Sequence, residues 1–560
     1  MGKQKLELMW VGKEKRAKLE PRILIEDPEK SYHADKRVSG NDIFDNMLIH
    51  GDNLLALKAL EQDYAGRVKC IYIDPPYNTG NAFEHYDDGL EHSIWLSLMR
   101  ERLELLKNLL SDDGAIFINI DECEYAYLKV MLDEIFGRKN HVCTFIWYAR
   151  AGQGNTVEYI AESHEYVLFF SKNIERLTVK KIKNISSGGN YSDSKGNYKR
   201  EQLRQWGQED KREDRPSMYY AIKAPDGTDI YPKRSDGSDG RWRVSKEKMQ
   251  ALIDNNDVDY VKDKYGNWSL YKKIRSGRIT YSSYSTILDN FGTASTATME
   301  LKQLFSEKIF DTPKPESLVS HLVNLVTNKN DLVLDSFLGS GTTAAVAHKM
   351  GRRWIGIELG EHCDTCCVPR LKKVIDGEDA GGITKSANWR GGGGFRYYNL
   401  APSLVKFDEW GNSVINKEFN ENMLVRALCK VEGFNFDPSP DVYWKQGKST
   451  ESDFIYVTTQ HLTAQMLQKL SDDVGENCTL LICCGSFDGK KDSYGNLTIK
   501  KIPKAILKKC EWSHDDYSLE IKNLPMSAPD PQPSPSPRKK SFKKLPSDNN
   551  QQMNLFEEVE

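Results

Sequence analysis

The sequence predicts an α/β protein: a doubly wound, mixed but mostly parallel sheet, interrupted by a basic insertion and followed by a smaller C-terminal α+β region. Three observations predict it. Short apolar runs alternate with amphipathic helical stretches on both sides of residues 172–300, the pattern of βαβ units. Two of these runs end in an acid and a turn motif, "DPPY" from Asp74 to Tyr77 and "DSFLGSG" from Asp335 to Gly341. Between them, Lys172 to Arg278 carries 25 Lys/Arg against 16 Asp/Glu, a local balance of +9 in a chain whose total is −3.

The elements follow in order. "MLIHGDNLLALKALEQDYAG" reads as a short strand, an acidic turn at Asp52 and a helix with Leu54, Leu57 and Leu60 on one side. The strand "CIYID" comes next, then a long amphipathic helix, "SIWLSLMRERLELLKNLLSDDG", and a buried strand, "AIFINID". The helix "EYAYLKVMLDEIFG" precedes strands "NHVCTFIWYAR" and "SHEYVLFFSK". Beyond the insertion, "DLVLDSFLGSGTTAAVAHKMGRRWIGIELG" repeats strand, glycine turn, helix, strand, so one α/β domain is split in two. The last part contributes strands "DFIYVTT" and "CTLLICCG" and ends in a Pro/Ser/Lys-rich stretch with the composition of a disordered linker. The expected divisions are an N-terminal segment 1–40, first half-domain 41–171, insertion 172–300, second half-domain 301–394, C-terminal domain 395–525 and tail 526–560.

At 560 residues and 28% charged, the chain is long enough for several soluble domains. It has no apolar run of membrane-spanning length, and its N-terminus lacks the apolar core of a signal peptide, so a cytoplasmic protein with no membrane association is expected. Eleven cysteines without paired spacing agree with a reducing compartment. "HCDTCC" at His362 to Cys367 has no second ligand pair nearby and runs into a helical pattern, so packing rather than a metal site is expected.

The glycine motif points to a nucleotide-bearing ligand. Gly339 and Gly341 allow close backbone approach at a helix N-terminus, with Ala344 in the third small position, and Glu358 lies 19 residues beyond Gly339, where a carboxylate reaches a ribose diol. This pattern suits a nicotinamide or flavin dinucleotide as well as it suits S-adenosylmethionine. A phosphate-gripping P-loop is disfavoured because no lysine follows the last glycine.

"DPPY" separates the remaining alternatives. An exocyclic ring amine is a poor nucleophile because its lone pair is delocalised, and it is too weakly acidic for prior deprotonation. Hydrogen bonds from its two N–H groups to the Asp74 carboxylate and the Pro75 carbonyl would favour the pyramidal geometry that frees the lone pair. Pro75 and Pro76 fix φ and hold that backbone in place, while Tyr77 offers a flat face to a base turned out of a duplex. The insertion interleaves its basic residues with aromatics and glycines, as in "NYSDSKGNYKREQLRQW" and "DGRWRV", a mixture that fits phosphate and base contact, although charge runs are more often solvated surface.

Together, "IHGDNLLALKAL", "VKCIYIDPPYNTGN", "FDTPKPESLV" and "DSFLGSGTT…WIGIELGEH" resemble the β group of amino-methyltransferases, most closely the modification (Mod) subunits of type III restriction–modification systems. The resemblance implies a Rossmann-like methyltransferase domain, circularly permuted so that the catalytic motif precedes the cofactor loop, with a target-recognition insertion between them. It implies transfer of a methyl group from S-adenosylmethionine to adenine N6 in double-stranded DNA, by a homodimer that partners a restriction (Res) helicase–nuclease subunit. Cytosine-N4 methylation and a non-catalytic DNA-recognition subunit are the alternatives; Asp rather than Ser ahead of "PPY" leans toward adenine.

Carried over by position, Asp74, Pro75, Pro76 and Tyr77 form the catalytic turn, and Asp335, Phe337, Gly339, Gly341, Thr342 and Glu358 hold the cofactor. Thr312 and Lys314 of "TPKPE" border the same pocket, with Lys314 toward the methionine carboxylate. Asp52 is expected at the pocket lip or as a helix N-cap. Arg241 and Arg243 of "DGRWRV" are the first candidates for base contact. In the tail, Gln552, Leu555 and Phe556 of "QMNLF" resemble short peptides that bind the bacterial sliding clamp.

Overall fold

A computed structural model describes residues 7–77, 88–150, 160–187, 189–490 and 492–518. The clamp-like residues Gln552, Leu555 and Phe556, and the tail 526–560, lie outside the described residues.

Ten strands form one sheet: β1 (Leu24–His33), β2 (Asn46–His50), β3 (Val68–Ile73), β4 (Leu110–Ile120), β5 (His141–Tyr148), β6 (His164–Ser171), β7 (Ile287–Leu288), β8 (Leu332–Asp335), β9 (Arg353–Glu358) and β10 (Gly394–Leu400). Their order is β1-β10-β2-β9-β8-β3-β4-β6-β5-β7. From β10 through β4 every pairing is parallel; β6 then runs antiparallel to both β4 and β5, and β1 antiparallel to β10. Strands from both sides of the insertion therefore share one sheet.

The strand sequences explain why helices cover both faces. Side chains alternate across a sheet, and here both alternating sets are apolar: Ile71 and Ile73 face one core, Cys70 and Tyr72 the other, and Ile116 and Ile118 oppose Ala115 and Phe117 in the same way. The first core is closed by α1 (Asn53–Tyr64), α2 (Asp88–Leu109) and α3 (Glu122–Leu132), through residues such as Leu57, Met99, Leu106 and Leu128. The second is closed by α5 (Glu316–Val326), α6 (Thr342–Lys349) and α7 (Val368–Asp376), with Leu322, Val346 and Leu371. A further helix, α4 (Ala294–Phe305), begins beside the end of β5, where the Ala294 N–H donates to the Ala149 carbonyl.

Two margins of the sheet lie beyond the expected half-domains. β1 falls in the segment read as N-terminal, and β10 in the region read as C-terminal, yet they pair with each other at one edge. The charged residues of "LIEDPEK" concealed β1, which lies at the sheet edge, and with it the neighbour that shows β10 to be an inner strand. The C-terminal region continues with strands 453–462, 479–487 and 497–501 in parallel, the first two linked by helix Ala464–Val474. The insertion has its own four-stranded antiparallel sheet over a small core around Leu203, Trp242, Met249 and Leu270.

No described helix is long and apolar enough to cross a membrane.

Candidate active site

The chain direction changes between β8 and β3. From β3 it passes through α2 to β4 on one side, and from β8 through α6 to β9 on the other. In open α/β sheets the crevice at such a switch point, beyond the C-terminal ends of the strands, receives ligands. Asp74 follows β3 and Asp335 ends β8, and these adjacent strands are paired in parallel with Cys70 opposite Val333. Both turns thus emerge at the same end of the sheet.

They line one cavity of about 430 Å3, whose wall includes Asp74, Pro75, Pro76 and Tyr77 from the first turn and Asp335, Phe337, Gly339 and Thr342 from the second, with Thr312 and Lys314 across from them. A smaller cavity of about 170 Å3 adjoins it: Pro76 and Phe337 border both, while Asp52, Leu98, Ser336, Glu358 and Leu359 border the smaller one. Gly341 lines neither; its positive φ of 78° turns the chain into α6 directly over Cys367. A third cavity, of about 570 Å3, opens at the opposite end of the sheet around Asn330, Gly351 and Trp389 and contains none of the predicted residues.

The Asp74–Tyr77 turn is tightly held. The Tyr77 hydroxyl lies 2.7 Å from Asp74 Oδ1, and Lys314 Nζ donates to Asp74 Oδ2 at 2.7 Å. The Trp95 indole donates to the Pro76 carbonyl at 2.7 Å, which fixes the second proline. The Pro75 carbonyl has no partner among the described residues. Burial pushes the Asp74 carboxyl up, against the opposing pull of Lys314. Burial alone would lower the Lys314 ammonium, but Asp74 and Glu165 outweigh it and hold the ammonium above its ordinary value. Lys314, expected toward a ligand carboxylate, borders the larger cavity and is also the counter-ion of Asp74 in this structure.

The glycine turn is built around two carboxylates. Asp335 accepts from the Phe337 N–H at 2.9 Å and the Thr343 hydroxyl at 2.6 Å, and burial raises it to about 7. Glu358 accepts from the Gly339 N–H at 2.7 Å and the Gly360 N–H at 2.9 Å. Burial would raise Glu358, but His362 at 2.9 Å and these amides bring it below its usual range. Gly339 has φ +55°, and a Cβ there would lie 3.2 Å from Phe310. Asp52 combines both expected roles: it caps α1 by accepting from the Leu55 N–H at 3.0 Å, and it borders the smaller cavity.

Sequence reasoning missed Glu165 and Asn119. Glu165 Oε2 lies 2.8 Å from the Tyr77 hydroxyl and 2.6 Å from Asn119 Nδ2, and both residues are buried. A carboxylate at the start of the apolar run "EYVLFFS" was the available signal. The cysteines of "HCDTCC" support the glycine turn from below: Cys363, Cys366 and Cys367 are buried, and the Cys367 thiol donates to the Gly339 carbonyl at 3.1 Å. The two arginines singled out in the insertion differ in setting, Arg241 being buried and Arg243 partly exposed. Arg241 donates to the Glu209 carbonyl, and Arg243 pairs with Glu201 at 2.9 Å, while Trp242 between them is a core residue.

A doubly wound α/β sheet with an acid–Pro–Pro–Tyr turn and a glycine turn flanking its switch point defines a nucleotide-ligand-binding protein of the Rossmann-like class. The DNA methylase family model matches residues 68–365, more than half of the chain, and the chain belongs to that family. It is 35% identical to the probable type III restriction-modification enzyme HindVI Mod subunit of Haemophilus influenzae, over 66% of this chain and 55% of that protein. It is 32% identical to the type III restriction-modification enzyme EcoPI Mod subunit of Escherichia phage P1, over 62% of each, and 31% identical to the type II methyltransferase M.KpnI of Klebsiella pneumoniae, over 56% of this chain and 78% of that one. The match thus spans little more than half of the two Mod subunits.

Proposed function

We propose that this protein methylates the N6 amine of adenine in double-stranded DNA, using S-adenosylmethionine, as the modification subunit of a type III restriction–modification system. The observation that carries this is the shared cavity: an amine-orienting turn and a nucleotide-binding turn border the same space.

The residues present fit the cofactor. Two buried hydroxyls without a partner among the described residues stand on the cavity walls, Tyr72 on the larger and Ser336 on the smaller, and buried polar groups rarely go unpaired unless a ligand or water meets them. Asp52 and Glu358 offer acceptors for a ribose diol beside the apolar faces of Phe337, Leu98 and Leu359. Asp335, Gly339, Thr342, Thr312 and Lys314 border the larger cavity, which suits a charged amino-acid end. When bound, S-adenosylmethionine supplies an electrophilic methyl group on a sulfonium.

The chain's own residues prepare the nucleophile. Asp74 and the Pro75 carbonyl accept the two N–H groups of the adenine amine, and the Tyr77 ring supports the extruded base, a contact worth ~1–3 kcal/mol. Little acid–base chemistry is needed before transfer, so positioning carries most of the rate. The basic insertion is assigned to DNA: Trp206, Tyr265 and Tyr281 expose aromatic surface there. The ten-stranded sheet with its helices acts as the catalytic domain, the basic insertion between β6 and β7 as the target-recognition domain, and the region after β10 as a C-terminal domain. A homodimer, a Res partner and a sliding clamp bound by the tail peptide at Gln552, Leu555 and Phe556 complete the proposed assembly; the Res partner is supported by relatives that are subunits of type III restriction-modification enzymes.

Incubation with methyl-labelled cofactor and adenine-bearing DNA tests the reaction. Wild type transfers label to N6-methyladenine. Asp74→Ala lowers kcat by about 1,000-fold or more, because it removes an interaction made in the transition state, while calorimetric cofactor affinity stays within about threefold. Label on cytosine, or undiminished transfer by Asp74→Ala, overturns the assignment.

A further inference from the structure

Each oxygen of Asp74 has a protein partner in this structure, and both partners also reach a single atom of a second carboxylate. The Tyr77 hydroxyl is 2.7 Å from Asp74 Oδ1 and 2.8 Å from Glu165 Oε2. Lys314 Nζ is 2.7 Å from Asp74 Oδ2 and 3.5 Å from the same Glu165 oxygen. A tyrosine hydroxyl has one proton, so it satisfies one carboxylate at a time. Asn119 donates to both the Tyr77 hydroxyl, at 2.8 Å, and Glu165 Oε2, at 2.6 Å, which pins the alternative acceptor in place.

Glu165 comes from β6, which pairs with β4, the strand beyond β3, and its side chain is 8% exposed. Burying a carboxylate needs a compensating role, since isolated charges are costly away from water. Structurally, a single carboxylate would suffice to neutralise Lys314. Two carboxylates around one ammonium leave the cluster with a charge of −1.

Resting on the proposed amine methylation, we infer that Glu165 is a positioning residue: it takes over the Lys314 ammonium and the Tyr77 hydroxyl when the substrate amine arrives, freeing Asp74 to accept the amine N–H. Two consequences follow. Asp74 becomes a stronger acceptor once its cation has moved, because an ammonium at 2.7 Å competes for the same lone pairs. The cluster also keeps its surplus negative charge where positive charge develops on the amine nitrogen, and preorganised charge of this kind is effective in a water-poor site.

The test compares wild type, Glu165→Gln, Lys314→Met and the double variant in single-turnover methylation of adenine-bearing DNA, with cofactor affinity and Tm measured for each. Glu165→Gln keeps shape but removes charge, so Lys314 settles on Asp74; kcat is expected to fall about 30-fold or more, with KM for DNA within about threefold. Adding Lys314→Met removes the competing cation, and the double variant is expected to regain about tenfold over Glu165→Gln, a coupling that independent structural damage would not produce. Should Glu165→Gln fail to fold, Glu165→Asp, which keeps the charge at shorter reach, takes its place: kcat falls less and again rises on adding Lys314→Met. Wild-type kcat in Glu165→Gln, or no gain in the double variant, overturns the inference while leaving the reaction intact. Absence of transfer by wild type overturns the reaction and the inference together.

Discussion

At the scale of single residues, burial sets the behaviour of the acid that ends β8. Asp335 shows what the motif leaves unsaid. It is read from sequence as the acid that ends a strand, but its burial raises the carboxyl from 3.8 to about 7, even with the Phe337 amide and Thr343 hydroxyl donating to it. A carboxyl raised in the folded state contributes stability that is complete below pH 4 and lost as pH rises toward 7. Asp335→Asn, whose amide can still accept from Phe337 while Thr343 turns its hydroxyl to accept, is expected to raise Tm over wild type by ~3 °C or more at pH 8 and by clearly less at pH 5. Equal differences at both pH values would show that the carboxylate is not destabilising when charged. Asp74, Tyr77 and Glu358 were legible because two or three characteristic neighbours accompany each one. Glu165 was not, because it reaches Tyr77 from 88 positions away, and only strand order reveals that β6 lies beside β4.

Among elements, the glycine turn is held by a clamp that no local pattern announces. Glu316, in the first turn of α5, is buried and accepts from Lys349 at 2.8 Å, from Arg370 at 3.0 Å and from the Ile383 N–H at 3.0 Å. Arg370, from α7, also donates to the Ser340 carbonyl at 3.1 Å and to Thr342 Oγ1 at 2.9 Å. One carboxylate thereby ties the helix that begins beside Lys314 to the turn between β8 and α6. The motif "TPKPE" places Thr312 and Lys314 beside the pocket, but the ion network needs three helices brought together. Leu338, inside the glycine turn, packs so closely on Gly356 of β9 that a Cβ there would lie 2.7 Å from Leu338 Cδ2. Because Glu316→Ala leaves Arg370 buried without its carboxylate, it is expected to cost about 3–5 kcal/mol, measured by urea unfolding. A loss below ~1 kcal/mol would mean that water or a rearranged Asp379 takes over the two cations.

For the molecule as a whole, the chain's far end returns to the site. Late in the C-terminal region, residues 511–518 run back across the half-domain built from β2, α1 and α2: Arg22 donates to the His514 carbonyl at 2.7 Å, Arg102 to the Tyr517 carbonyl at 3.0 Å, and the Tyr517 N–H donates to Asp52 at 2.9 Å. Ser518 borders the smaller cavity beside Asp52 and Glu358. The split-domain architecture was legible because each half repeats strand, turn and helix, whereas this strap has no periodicity and gains its place through backbone groups meeting buried charges and through side-chain contacts such as Arg22 with Asp515 and the packing of Tyr517. Arg102 and Asp52 are both almost fully buried, so uncovering them is costly. Tyr517→Pro removes the N–H that Asp52 accepts, whereas Tyr517→Ala keeps it and removes only the ring. If the strap shapes the wall that holds the adenosyl end of the cofactor, the proline variant weakens calorimetric cofactor affinity by about fivefold or more while the alanine variant changes it by less than about twofold, and single-turnover transfer at saturating cofactor stays near wild type in both. Equal losses in the two variants would place the effect in the Tyr517 ring packing rather than in the backbone contact with Asp52, and no loss in either would separate the strap from cofactor binding.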